Sequence, residues 1–210
     1  MTDYVLLQLT RNRGLPWPED SFGRTPLFGE NGWCRTCGTP FAEQSGMLVL
    51  QARELGCVAG AWVPNWLFDV VCLEEGLAAR LERQFGVETR EILTPRGKRV
   101  PARQLVIPAT PEPWYQPDAL VNVLEARHGL AGERCDQCTT WRWRPLDESL
   151  LPPPRISERC GSIHAIASPE RFGVGLRSFR QLLFSRPLAL AILASGRTDF
   201  VLLELPPDEA

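Results

Sequence analysis

Two cysteine pairs of identical spacing constrain this chain more than any other feature. Cys34 and Cys37 lie in GWCRTCG, and Cys135 and Cys138 lie in ERCDQCTTWRWRP, about a hundred residues further on. One CxxC pair is half of a tetrahedral metal site, and two pairs supply the four thiolates that zinc prefers. The long insert is no obstacle, because loop-closure entropy grows only with the logarithm of loop length. The spacing therefore predicts one structural Zn2+ ion held by Cys34, Cys37, Cys135 and Cys138. Four sulfurs would close its coordination sphere and leave no position for water or substrate, so the expected role is structural and not hydrolytic. A thioredoxin-type redox pair fits worse, since neither pair falls between a strand and the start of a helix.

The flanking residues suit this reading. Gly38 can take the left-handed conformation that turns backbone amides toward thiolates. Arg35, Arg134, Arg142 and Arg144 crowd the pairs and could temper their negative charge, although a solvated loop surface explains them equally well. Trp33, Trp141 and Trp143 are placed to cover sulfurs, or to serve as ordinary core tryptophans. Cys57 in GCVAGAW and Cys72 read as buried thiols that behave as hydrophobes. Cys160 and His164 are the only Cys/His pair close in sequence, yet on a strand they would lie well separated, and catalysis is not the expected role. His128 sits near a helix end, where exposure or a dipole interaction accounts for it. No glycine-rich phosphate loop, nucleophile elbow or His-Glu hydrolase motif occurs, and GVGLRS lacks the third glycine and preceding strand of a dinucleotide fingerprint.

The chain has 210 residues, 44% of them apolar, enough to bury one good core or two small ones. A formal charge of -2 provides no field to gather nucleic acid or an anionic membrane, so neither is the expected partner. The first residues, MTDYVLLQLTRNRG, read as a strand and not an export signal, and RPLALAILASG is too short to span a bilayer. With seven cysteines, an odd number, and pairs spaced for metal, a reducing cytoplasmic location is expected.

Apolar periodicity predicts strands at Tyr4 to Thr10 and in GMLVLQA, and an amphipathic helix from Val70 to Phe85 closed by Gly86. ETREIL and RQLVIP read as a hairpin joined by TPRGKR. DALVNVLEARHG reads as a helix capped by Asp118 and stopped at Gly129. Toward the end come a strand near SIHAIA, the run LRSFRQLLFS, a helix from Arg186 to Ser195 with Ser185 as its cap, and a strand FVLLEL. These elements define a compact α+β fold over residues 1–210. It is a single domain or two lobes, 1–110 with the first knuckle and 111–210 with the second. The split zinc-knuckle site, zinc-ribbon-like, joins the N-terminal and C-terminal parts.

CRTCG, CDQC and the ending LLFSRPLALAILASGRTDFVLLEL resemble the double-CXXCG motif proteins, known as immunity proteins of myxobacteria. The second motif here has Thr139 where the family name requires glycine, which leaves the thiolates intact. The resemblance implies a cytoplasmic, non-catalytic antidote that binds a cognate protein toxin. The alternatives are a zinc-ribbon adaptor touching nucleic acid or a transcription complex through WRWRP, and a biosynthetic enzyme or accessory protein using Cys160 and His164. Neither partner identity nor oligomeric state is legible in the residues.

Overall fold

The first strand, β1 (Tyr4–Leu9), lies inside a sheet, between two strands from the far end of the chain. In the computed structural model, which describes residues 3–10, 16–51, 55, 59–157 and 160–206, four helices and eleven strands follow one another as mixed α and β elements. β1 pairs antiparallel with β10 (Leu182–Ser185) on one side and β11 (Phe200–Leu203) on the other, and β9 (Ala165–Ala167) completes a sheet ordered β11-β1-β10-β9. A second sheet is drawn from residues before 110, in the order β2 (Leu48–Val49), β5 (Thr89–Leu93), β6 (Arg99–Leu105), β4 (Cys72–Glu74), β3 (Ala61–Trp62). The β5–β6 hairpin turns where Thr94 and Lys98 bond across the predicted TPRGKR segment.

Side-chain alternation along the strands explains how the sheets stack. On β1, Val5, Leu7 and Leu9 face one cluster while Tyr4 and Leu6 face another. On β4, Leu73 faces the first cluster and Cys72 turns to a third. The first cluster is shared by both sheets, because Val5, Leu73, Leu105, Ala165, Phe184 and Phe200 meet in it. Two helices cover it: α2 (Glu75–Phe85) through Leu77, Ala78 and Leu81, and α4 (Arg186–Leu193) through Leu188, Ala189 and Ile192. Each fully buried leucine contributes about 1.5–3 kcal/mol of transfer free energy, so this shared core holds the sheets together whatever else links them. On its other face the four-stranded sheet packs against α3 (Pro117–His128) through Leu120 and Leu124. The five-stranded sheet packs its other face over α1 (Arg24–Phe28) through Leu27.

Two element starts and one capping bond differ from the sequence reading. The helix predicted over Val70 to Phe85 begins only at Glu75; Cys72 to Glu74 is strand β4, bonded to β3 and β6. The apolar positions Val70 and Leu73 suit both periods, and β-branched Val70 and Val71 favour the extended one. At α3, Pro117 takes the first turn and Gln116 precedes it, which leaves Asp118 within the first turn and not at the cap. At α4, Ser185 does stand at the N-cap but makes no capping bond, because its hydroxyl meets His164 Nδ1 at 2.8 Å. Among the described residues no helix is long and apolar enough to cross a membrane.

Candidate metal centre

Cys34 and Cys37 lie on a tight turn just after α1, and Cys135 and Cys138 on the turn between β7 (Gly132–Arg134) and β8 (Trp141–Trp143), a two-stranded ribbon. The two turns have the same backbone. Gly38 N–H donates to Cys34 O at 2.8 Å, and Thr139 N–H donates to Cys135 O at 2.8 Å. Cys34 N–H donates to Thr39 O at 2.9 Å, and Cys135 N–H to Thr140 O at 3.0 Å. The residue after each second cysteine is left-handed, Gly38 at φ 68° and Thr139 at φ 59°. The position that lacks glycine in the second motif thus adopts the glycine-like conformation all the same.

The turns meet face to face. All four sulfurs lie within 4.8 Å of one another, with Cys34 Sγ 3.8 Å from Cys135 Sγ and Cys37 Sγ 3.6 Å from Cys138 Sγ. A disulfide requires about 2.05 Å, so these separations are not bonded pairs. Metal–sulfur bonds of about 2.3 Å in a tetrahedron give sulfur–sulfur edges of about 3.8 Å, which matches. The donor set therefore fits a metal ion, and Cys34, Cys37, Cys135 and Cys138 are the residues that could hold it. Cys34, Cys37 and Cys135 are buried and Cys138 is half-buried.

Hydrogen bonds prepare the sulfurs unequally. Burial pushes the Cys37 thiol up to about 12, partly offset by its bonds with Thr39. Burial also opposes the Cys138 thiolate, yet bonds from Thr140 and from Cys37 and Cys135 bring that thiol down to about 6. Thr39 Oγ1 lies 3.1 Å from Cys37 Sγ, and the Gln137 side-chain amide reaches within 3.8 Å of Cys34 Sγ. Crowded thiolates repel one another, and a cation among them removes that conflict.

The arginines adjacent in sequence have other work. Arg35 stacks over Trp33 at 4.2 Å and pairs with Glu30. Arg134 donates to Thr139 O at 3.2 Å. Arg142 is buried between Glu133 and Gly175 O. The arginines whose charge Cys37 favours are instead Arg24 and Arg171, both buried and both distant in sequence. Spacing could not have found them; an arginine opening a short helix and another beside Phe172 carry no local signal. The tryptophans also divide: Trp33 is buried and donates its indole N–H to Thr25, whereas Trp141 is exposed and meets Trp143 edge to face at 5.6 Å.

Away from the cluster, Cys72 is fully buried in a strand, and burial drives its thiol well above the ordinary value. Cys57 lies outside the described residues. Cys160 is buried too, and burial, then Glu112, raises its thiol; its carbonyl accepts the Tyr4 hydroxyl at 2.6 Å. His164 engages Ser185 and packs against Phe85. His128 is exposed and reaches Pro145 O at 3.1 Å. No model of a known protein family matches the chain, and no curated protein matches it either.

Proposed function

We propose that this is a non-catalytic protein-binding protein whose scaffold is stapled by one structural zinc ion, and that it acts in a reducing compartment, the cytoplasm, as an immunity protein that neutralises a cognate toxin by steric occlusion. The observation that carries this reading is the convergence of four cysteine sulfurs from distant segments to within 4.8 Å of one another. Thiolates in that geometry favour zinc, and a sphere filled by protein sulfurs leaves no site for substrate. The resemblance of the cysteine motifs and the chain's ending to double-CXXCG immunity proteins supplies the partner class.

Two further observations favour it over the alternatives. Arg142 of WRWRP is buried and spent on Glu133 and Gly175, so that arginine is withheld from bases. Cys160 has a raised thiol pKa, the opposite of what an activated nucleophile needs. The test is co-expression with the product of the neighbouring reading frame. The expected result is protection of the host and a stoichiometric complex on size-exclusion chromatography, both unchanged by Cys160→Ala and His164→Ala. Loss of protection in either variant, with fold and metal retained, would assign the protein to enzyme chemistry. Salt-sensitive capture of a defined oligonucleotide would assign it to the nucleic-acid class.

A further inference from the structure

Beside the first cysteine turn, a cavity of about 520 Å³ lies between the two sheets, lined by Gln104 and Leu105 of one and by Ala167 and Leu182 of the other. Its volume is that of a small-molecule pocket. The exposed segment at Phe41, Ala42 and Glu43 forms part of its wall, so the cavity reaches solvent there.

Four arginines line it, of which Arg90 is engaged by Gln44 O and Glu88. Arg24 is 2% exposed, Arg171 is 9% exposed and Arg180 is half-buried. Against them stands Asp69, whose Oδ2 lies 3.6 Å from Arg171 Nη1 and accepts the Arg180 backbone N–H at 3.1 Å. With Arg90 and Glu43 also in the wall, four cations and two carboxylates leave two positive charges among the lining residues. Burial, with Arg180 adding repulsion, pulls the Arg171 guanidinium down to about 9, and burial lowers Arg24 and Arg180 as well.

The polar groups are also incompletely paired. Arg24 Nη2 donates to Ser178 O at 2.6 Å, while its Nε, like Asp69 Oδ1, is buried without a partner among the described residues. Arg171 adds to its ion pair a long 3.4 Å bond to Pro40 O. Buried guanidinium donors without acceptors are costly, and they are the groups that bind oxyanions through paired hydrogen bonds. The thiolates near Cys37 can offset part of the charge on Arg24 and Arg171, but no described hydrogen bond joins either arginine to a sulfur, and the Arg180 guanidinium donates to Ser168 O instead. One part of the wall is apolar, with Leu27, Phe28, Val106 and Ile107, and another is polar, with Glu43, Gln44 and Gln104.

We propose that this cavity is a binding site for a small organic oxyanion, a phosphate or carboxylate carried on an apolar body, with Arg24, Arg171 and Arg180 holding the oxyanion. The apolar part of the wall takes the body, and Asp69 orients the Arg171 guanidinium and holds the Arg180 backbone. The site is independent of the toxin-binding reading, since its ligand enters between the sheets.

The test is calorimetric titration of the metal-loaded full chain at low ionic strength with inorganic phosphate, phenyl phosphate and benzoate. Wild-type protein should bind phenyl phosphate or benzoate at one site, more tightly than inorganic phosphate, and the tighter of the two identifies the oxyanion. Arg180→Gln, at the least buried of the three positions, should weaken binding at least tenfold with zinc content unchanged, and Arg171→Gln should do so where it folds. Wild-type protein that binds none of the three probes overturns the proposal, as does binding that survives Arg180→Gln unchanged. Absence of binding together with metal loss in Arg24→Gln would instead make the arginines counter-charges of the thiolates.

Discussion

Gly38 and Thr139 occupy the same place in two superimposable turns, and their differing chemistry makes the metal centre testable one atom at a time. Gly38 needs its left-handed φ and also its missing side chain, since a Cβ there would stand 2.3 Å from Leu176 O. Thr139 holds φ 59° with a β-branched, exposed side chain, a conformation that costs a non-glycine residue about 1–2 kcal/mol. Thr139→Gly is therefore expected to stabilise the protein by about 1 kcal/mol, raising Tm by about 2–4 °C with metal stoichiometry unchanged. Gly38→Ala is expected to lower both Tm and metal occupancy. Thermal unfolding and metal analysis of the two variants check this; a lower Tm for Thr139→Gly would mean that the turns are not equivalent. The four ligands were legible because CxxC spacing is local chemistry. The equivalence of Thr139 with Gly38 was not, because a positive φ at threonine is imposed by the bonds from Thr139 to Cys135 and from Cys135 to Thr140, which no propensity encodes.

Strand β1 shows how a single buried hydroxyl can fix an element in place. Tyr4, at its start, donates to Cys160 O and lies within 2.6 Å of Ile163 O as well, tying the strand to the turn that precedes β9. Burial, with Cys160 adding a smaller effect, pushes this phenol up to about 12 from its ordinary value of about 10. Below pH 10 it is protonated in both folded and unfolded chains, and its contribution is intact. Between pH 10 and about 12 the unfolded chain ionises while the folded one resists, so stability falls with rising pH in that window. Tyr115, raised mainly by burial, acts in the same direction. Tyr4→Phe should cost about 1–3 kcal/mol at neutral pH and flatten the alkaline loss, as measured by denaturant unfolding at pH 9 and 11. An equally steep loss in the variant would remove Tyr4 as its source. β1, the β5–β6 hairpin, α3, α4 and β11 were readable from apolar period and turn residues. The start of α2 was not, because Val70 and Leu73 fit strand and helix alike until β3 and β6 bond to β4. The two-residue β3 and the five-residue α1 are too short to show any period.

Two kinds of linkage join the early and late parts of the chain, and they respond differently to loss of metal. One is the apolar core in which Val5, Leu73, Leu105, Phe184 and Phe200 meet beneath α2 and α4. The other is the sulfur cluster, which joins the segment after α1 to the β7–β8 ribbon. The base of the ribbon is joined to the core where Trp143 bonds with Arg171 O and Gly173 N–H and buried Arg142 reaches Gly175 O. Its tip meets the first cysteine turn at the thiolates. A structural zinc contributes about 10–16 kcal/mol in small peptides; a loss of even about 4 kcal/mol here would lower Tm by about 8–16 °C. Removing metal with a chelator, or by Cys34→Ser or Cys138→Ser, should therefore lower Tm by at least that much while far-UV circular dichroism at 25 °C keeps most of its amplitude. Amide exchange should accelerate at residues 32–40 and 132–143 and stay slow in β1, β10 and α4, because those elements are closed by the core and not by sulfur. An unchanged Tm and exchange pattern after chelation would dismiss the metal staple. Complete loss of the circular dichroism signal would show that the sulfur cluster, and not the apolar core, is what keeps the two sheets together.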